Sequence, residues 1–170
     1  LLQRWNARIN LTAIRDPEEI VTRHFGESLF AASHLFPKCS SVSSASSVVK
    51  AFDSVADVGS GAGFPGLPLK LWAPEIELTL IESNHKKSTF LREVTRALTL
   101  TNVNIQTARA ESLPASSFGT VTLRAVERFE AILPTAAALV APGGRLALLI
   151  SSAQLAQARS ILPALAWSDP

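Results

Sequence analysis

Apolar residues arrive along most of the chain in short runs, separated by stretches in which they recur at helical spacing. Val55 to Val58, Leu78 to Ile81, Val103 to Thr107, Val121 to Arg124 and Arg145 to Ile150 read as strands, being short, apolar and largely branched. Helical stretches follow them, from about Pro65, from about His85 to Leu98, from Phe129 to Val140 and from Gln154 to Leu165. Strands that alternate with helices predict βαβ units, which leave a mostly parallel sheet with helices on both faces. The expected fold class is therefore α/β.

The first third of the chain has a different pattern. Leu2, Trp5 and Ile9 keep helical spacing up to Asn10, and a second helix is expected from Asp16 to about Phe36. Asp16 can cap the free amides, Pro17 suits the first helical position, and Glu18 and Glu19 oppose the positive end of the helix dipole. The Ser-rich stretch 37–53 has the composition of a solvated connector. One domain is expected, made of a helical layer (1–36), this connector and an α/β core (54–170). A chain of 170 residues suits one core.

Composition narrows the classes. With 47% hydrophobic and 18% charged residues the chain can fold without metal or disulfide staples. The single cysteine, Cys39, excludes an internal disulfide and a Cys-rich zinc cluster, and fits a reducing cytoplasm. No run approaches the roughly 20 apolar residues of a membrane span, and the start lacks a secretory signal, so a cytoplasmic protein is expected. The absence of Met, with Leu1 at one end and Pro170 at the other, leads us to expect part of a longer gene product. A net charge of +2 permits a nucleic-acid partner without arguing for one.

The chemistry concentrates after the first expected strand, in Asp57-Val58-Gly59-Ser60-Gly61-Ala62-Gly63-Phe64-Pro65-Gly66. Glycines at the carboxyl end of a first parallel strand allow a tight turn and let a ligand approach the backbone, beside a helix N-terminus with unpaired amides. Gly61, Gly63 and Gly66 also fit the dinucleotide spacing, a match that alone is weak. Asp57 shifts the reading toward S-adenosylmethionine, because a carboxylate beside the loop suits a cationic amino group and opposes a pyrophosphate. Glu82, ending the second strand, can accept the ribose hydroxyls of an adenosine. Ala110 and Glu111, after the third strand, are placed for the adenine edge, and Arg124, ending the fourth, for the cleft. Otherwise Arg124 would pair with Glu111 or Glu127 and only support the fold.

Several classes lack their signs. No Cys, His or acidic cluster has metal-ligand spacing, so no metal is expected, and no serine sits in a nucleophile elbow. His24 lies beside Arg23 in the N-terminal helix, and no His, Cys or Tyr ends a cleft-facing strand. His85, Lys86, Lys87, Arg92 and Arg96 share one expected helix, either as phosphate contacts or as a solvated face.

Taken together, these residues resemble the bacterial 16S ribosomal RNA guanine-N7 methyltransferases, the glucose-inhibited division protein B family. The carriers are Trp5-Asn6 with Asn10-Leu11-Thr12, Arg23-His24 with Glu27-Ser28, the glycine loop with its Phe64-Pro65-Gly66-Leu67-Pro68 extension, Glu82-Ser83-Asn84 with Lys86-Lys87 and Phe90-Leu91, and Arg124-Ala125. The resemblance implies a Rossmann-like class I methyltransferase fold and methyl transfer from S-adenosylmethionine to a guanine N7 of the small ribosomal subunit. It implies that Gly59 and Phe64 contact the donor, Glu82 its ribose, Ala110 and Glu111 its adenine, and Arg124 the methionine or the reaction side. The chain departs from the family pattern at Gly119, where an acid is usual, and at Leu149-Ile150-Ser151, where a Lys-Gly is usual. Family members also continue into an antiparallel pair of strands. The competing readings are a methyltransferase on another substrate, an NAD-dependent oxidoreductase and a non-catalytic RNA-binding relative.

Overall fold

The computed structural model describes residues 1–37 and 53–168. Most of the expected connector, with Cys39, lies outside the described residues. Five strands, β1 (Ser54–Val58), β2 (Glu77–Ile81), β3 (Val103–Gln106), β4 (Phe118–Arg124) and β5 (Val140–Leu149), form one sheet in the order β3-β2-β1-β4-β5. Every neighbouring pair is parallel. The helices are α1 (Leu2–Asn6), α2 (a continuous helix of Pro17–Glu19, a π-helical stretch Ile20–Gly26 and Glu27–Leu35), α3 (Gly66–Trp72), α4 (His85–Ala97), α5 (Phe129–Ala138) and α6 (Ser152–Ile161).

The alternation of strand residues sorts the core onto two faces. Val55, Leu78 and Leu80 point into a cluster with Leu67 and Leu69 of α3 and Phe90 and Leu91 of α4. Ala56, Val58, Val121 and Leu123 point the other way, onto Phe129, Leu133 and Ala136 of α5 and Ala158 of α6. At β1 both faces are buried, which is why Val55, Ala56 and Val58 are all apolar, with Asp57 alone among them polar. The first face also receives Trp5 and Leu11, so the N-terminal layer is packed on the sheet's own core.

Three elements differ from the sequence expectation. Strand β5 begins at Val140 and not Arg145, because a register irregularity against β4 absorbs Pro142-Gly143-Gly144, with Gly143 at φ +75°. Helix α1 stops at Asn6, whose side chain accepts from the Leu11 and Thr12 amides and ties down the following turn. The helix begun at Asp16 is capped as expected, its carboxylate accepting from Glu19 N–H at 2.9 Å, but contains the π-helical stretch that no local signal announces. The two departures from the family pattern have local structural roles. Gly119 N–H donates to Ser54 Oγ at 2.9 Å, and Ser151 caps α6 in a reciprocal pair with Gln154.

Candidate active site

The sheet order reverses at β1, with β2 and β3 to one side and β4 and β5 to the other, so a crevice opens beyond the carboxyl ends of β1 and β4. The glycine loop leaves β1 into this crevice and is tied back to β2, with Gly59 and Ser60 N–H both donating to Ile81 O at 2.9 and 3.1 Å. Its glycines have separate physical causes. A side chain at Gly63 (φ +88°) would run into Leu67, and one at Gly66 would meet Leu80 and Asp57 at 2.6 and 2.8 Å. A Cβ on Gly61 (φ +52°) would meet, among the described residues, only Gly59 O at 3.7 Å, so its open side faces no other described part of the chain.

Glu82 locks this loop from β2. Its two carboxylate oxygens accept from Gly61 N–H at 2.9 Å and Asn84 N–H at 2.7 Å, and the residue is 7% exposed. Each oxygen keeps a further lone pair, so a pinned acceptor pair stands beside the open side of Gly61. The structure thus brings Gly59, Gly61 and Glu82 together. Ala110 is buried in the opening turn after β3, and Glu111 beside it is exposed.

Asp57 is placed differently from the expectation that it faces a ligand. It is 1% exposed, and its oxygens accept from Thr122 Oγ1 at 2.8 Å and Gly66 N–H at 3.2 Å. Burial lifts its carboxyl from 3.8 to about 6, against the pull of these hydrogen bonds. The expectation of unpaired amides at the start of α3 is also corrected. Pro65 and Pro68 have none, Gly66 N–H goes to Asp57, and Leu67 N–H goes to Gly63 O at 2.8 Å. A pyrophosphate would find no free amide here, and a buried carboxyl directly beneath.

Helix α2 forms the opposite wall. Arg124, ending β4, donates to Glu27 at 2.6 Å and to the Arg23 carbonyl, within the π-helical stretch, at 3.4 Å. Its partner is therefore Glu27, 97 residues distant, and not Glu111 or Glu127. His24 stacks on Phe64 with ring centroids 5.0 Å apart, so Phe64 turns toward α2, where Phe25 meets its edge. Thr12 Oγ1 accepts from Ile14 N–H and lies 2.7 Å from His24 Nε2. The other ring nitrogen, Nδ1, is buried and unpartnered among the described residues. Burial, then the Arg124 charge, lowers the His24 pKa, so the ring is neutral at pH 7. Residue reasoning gave His24 and Glu27 no role at the cleft. Their one signal was the spacing Arg23-His24 to Glu27-Ser28, which repeats on one helix face.

Residues 1–161 match the family model described as rRNA small subunit methyltransferase G (GidB). The chain belongs to that family. Among curated relatives, the ribosomal RNA small subunit methyltransferase G of Stenotrophomonas maltophilia is 42% identical over 145 residues, covering 85% of this chain and 61% of the relative. That of Halorhodospira halophila is 42% identical over 146 residues, covering 86% and 63%. The chain thus spans about three fifths of the length of the rRNA small subunit methyltransferase G relatives it matches. In fold it is similar to an S-adenosylmethionine-dependent O-methyltransferase of Thermotoga maritima (TM-score 0.63, 18% identity, 91% of this chain, 52% of that one). It is also similar to a tRNA (m1A58) methyltransferase of Aquifex aeolicus (TM-score 0.59, 14% identity, 81% and 51%). The sheet is that of Rossmann-like methyltransferases.

Proposed function

We propose that this chain carries the donor site and cleft of a methyltransferase that moves a methyl group from S-adenosylmethionine to N7 of a guanine in 16S rRNA of the small ribosomal subunit. Membership of the rRNA small subunit methyltransferase G family supports the reaction. The observation in the molecule that carries the choice of donor is the start of α3, where Asp57 and the Gly63 carbonyl take the Gly66 and Leu67 amides that a pyrophosphate at a helix N-terminus would use. This weighs against a dinucleotide and leaves Glu82 as an acceptor for a nucleoside diol.

In this reading the donor would lie along the open side of Gly61, with its ribose on Glu82 and its adenine near Ala110 and Glu111. Asp57 acts through the loop, by holding Gly66 and hence the turn into α3. Bound S-adenosylmethionine supplies an electrophilic sulfonium methyl. Guanine N7 bears a lone pair and no proton, so the transfer needs alignment and no base. The methylated base takes up the positive charge, and a bare cation beside it would oppose the step. Arg124 is neutralised by Glu27, which removes that opposition while leaving the guanidinium to fix geometry. His24, neutral and bonded through Nε2, holds Phe64 and the loop from the other wall.

The test uses calorimetry and a label. The chain should bind S-adenosylhomocysteine and not NADH, and with radiolabelled donor it should mark unmodified small ribosomal subunits at a guanine N7. NADH binding without S-adenosylhomocysteine binding would replace the reading with an oxidoreductase, and RNA binding without transfer would leave a non-catalytic relative. Among the described residues no helix is long and apolar enough to cross a membrane.

A further inference from the structure

The N-terminal segment and α4 meet at an aromatic contact, Trp5 against Phe90, with centroids 5.8 Å apart and planes at 62°. Around it runs a groove of about 340 Å³ lined by Arg4, Trp5, Arg8, Ile9, Lys86 and Thr89. Three of the six are cations and none is an acid. Arg4, Arg8 and Lys86 are exposed, and among the described residues none has an ion-pair or hydrogen-bond partner for its charged group.

Local stability does not explain these charges. Residues 1–15 carry three Arg and no Asp or Glu, so Arg4 and Arg8 have no acid near them along the chain. Helix α4 has no acid in its first turn and opens on His85-Lys86-Lys87, which places cations at the positive end of the dipole. Two segments that each carry cations without a neighbouring acid converge on one groove, which points to a polyanion as the missing counter-charge. An indole in the lining adds a surface on which an unstacked base can lie, a feature that duplex phosphates would not use. The groove also adjoins the cleft. Lys86 N–H is capped by Asn84, whose own N–H holds Glu82.

We propose that this groove binds the backbone of a single-stranded RNA segment, with Arg4, Arg8 and Lys86 on successive phosphates and Trp5 against a base. The proposal rests on the reading of the chain as an rRNA methyltransferase. It extends that reading by giving the substrate strand a path from α1 across the first turn of α4 to the edge of the donor site.

The experiment measures binding of a fluorescent 20-nucleotide oligouridylate against KCl concentration, with S-adenosylhomocysteine calorimetry in parallel. The triple variant Arg4→Ala/Arg8→Ala/Lys86→Ala should lower the slope of log K against log salt by about 2, at about 0.7 per lost single-strand phosphate contact. Trp5→Leu should weaken binding several-fold without changing the slope, and both variants should keep wild-type affinity for S-adenosylhomocysteine. Should the triple variant fail to fold, each single alanine variant should lower the slope by about 0.7, and the charge-retaining Arg4→Lys/Arg8→Lys/Lys86→Arg should keep it. A wild-type slope in a folded triple variant, or in all three single variants, overturns the proposal. So does tighter binding of polyglutamate than of the oligouridylate. The two readings separate cleanly: loss of slope without methylation of guanine N7 by the wild type keeps the groove and removes the activity, and methylation with an unchanged slope does the reverse.

Discussion

The two walls of the cleft are built in opposite ways. The wall made by the glycine loop and Glu82 joins neighbouring strand ends through backbone amides, with Gly61, Asn84 and Gly66 donating to two buried carboxyl groups. The wall made by α2 joins residues far apart in the chain through side chains, 97 positions apart in the Arg124–Glu27 pair and 40 in the His24–Phe64 stack. The first wall is rigid because backbone geometry over-determines it. The second can be altered at one side chain at a time. On the proposed reading, the donor side then keeps a fixed shape and the substrate side is open to adjustment.

The largest expected effect breaks the first wall. Gly63→Val should cost about 3–5 kcal/mol of stability, since a branched side chain at positive φ would also collide with Leu67. Gly61→Val, with open space around its Cβ, should cost only about 1–2 kcal/mol from the backbone while abolishing binding of S-adenosylhomocysteine. Thermal unfolding and calorimetry on the pair separate a packing glycine from the one proposed to face the donor, and equal effects on both quantities would erase the distinction.

Glu82→Ala comes next, with a loss of about 1–3 kcal/mol in affinity for S-adenosylhomocysteine, the scale of hydrogen bonds to a charged acceptor. The loss should be specific to the nucleoside. If methionine alone loses affinity equally, Glu82 does not hold the ribose.

The pH dependence of stability then contrasts the walls with opposite signs. Asp57 binds a proton more tightly folded, at about 6, than unfolded, at 3.8, so its contribution falls as pH rises through that window. Comparing wild type with Asp57→Asn, this should amount to about 1 kcal/mol between pH 5 and 7. His24 has a lowered folded pKa, so its contribution is complete above 6.5 and is lost as pH falls. Denaturant unfolding of Asp57→Asn and His24→Gln across pH 5–7.5 should show the two differences from wild type sloping in opposite directions, and parallel slopes would refute the assignment.

The smallest effect on stability belongs to the ion pair. Glu27 is half exposed, so Glu27→Gln and Arg124→Ala should each cost at most about 1 kcal/mol. Turnover should nevertheless fall clearly in Arg124→Ala and recover only in part in Arg124→Lys, since an ammonium cannot reproduce the fork that meets both Glu27 and the Arg23 carbonyl. Full recovery with Lys would reduce Arg124 to a point charge.

Legibility in the sequence followed the same division. Strand and helix periodicity gave the parallel sheet, and the loop glycines with Glu82 announced the first wall, because those features are set by residues near one another in the chain. Asp57 was legible as a carboxylate at the loop but not in its direction, which depends on Thr122 from another strand. The second wall was hidden. A π-helical stretch has no composition of its own, and the Arg124–Glu27 pair depends on how α2 lies across the sheet. Arg124 was therefore matched to Glu111 and Glu127, nearby along the chain, instead of to Glu27, its neighbour in space.

The central claim is methyl transfer by alignment, without a titrating base, and it is tested most directly by single-turnover transfer from saturating radiolabelled S-adenosylmethionine to unmodified small ribosomal subunits across pH 7 to 9. The account predicts a rate nearly independent of pH, with the label mapped by chemical cleavage to a guanine N7. A steep rise with an apparent pKa in that range, or a methyl group at any other atom, would contradict it.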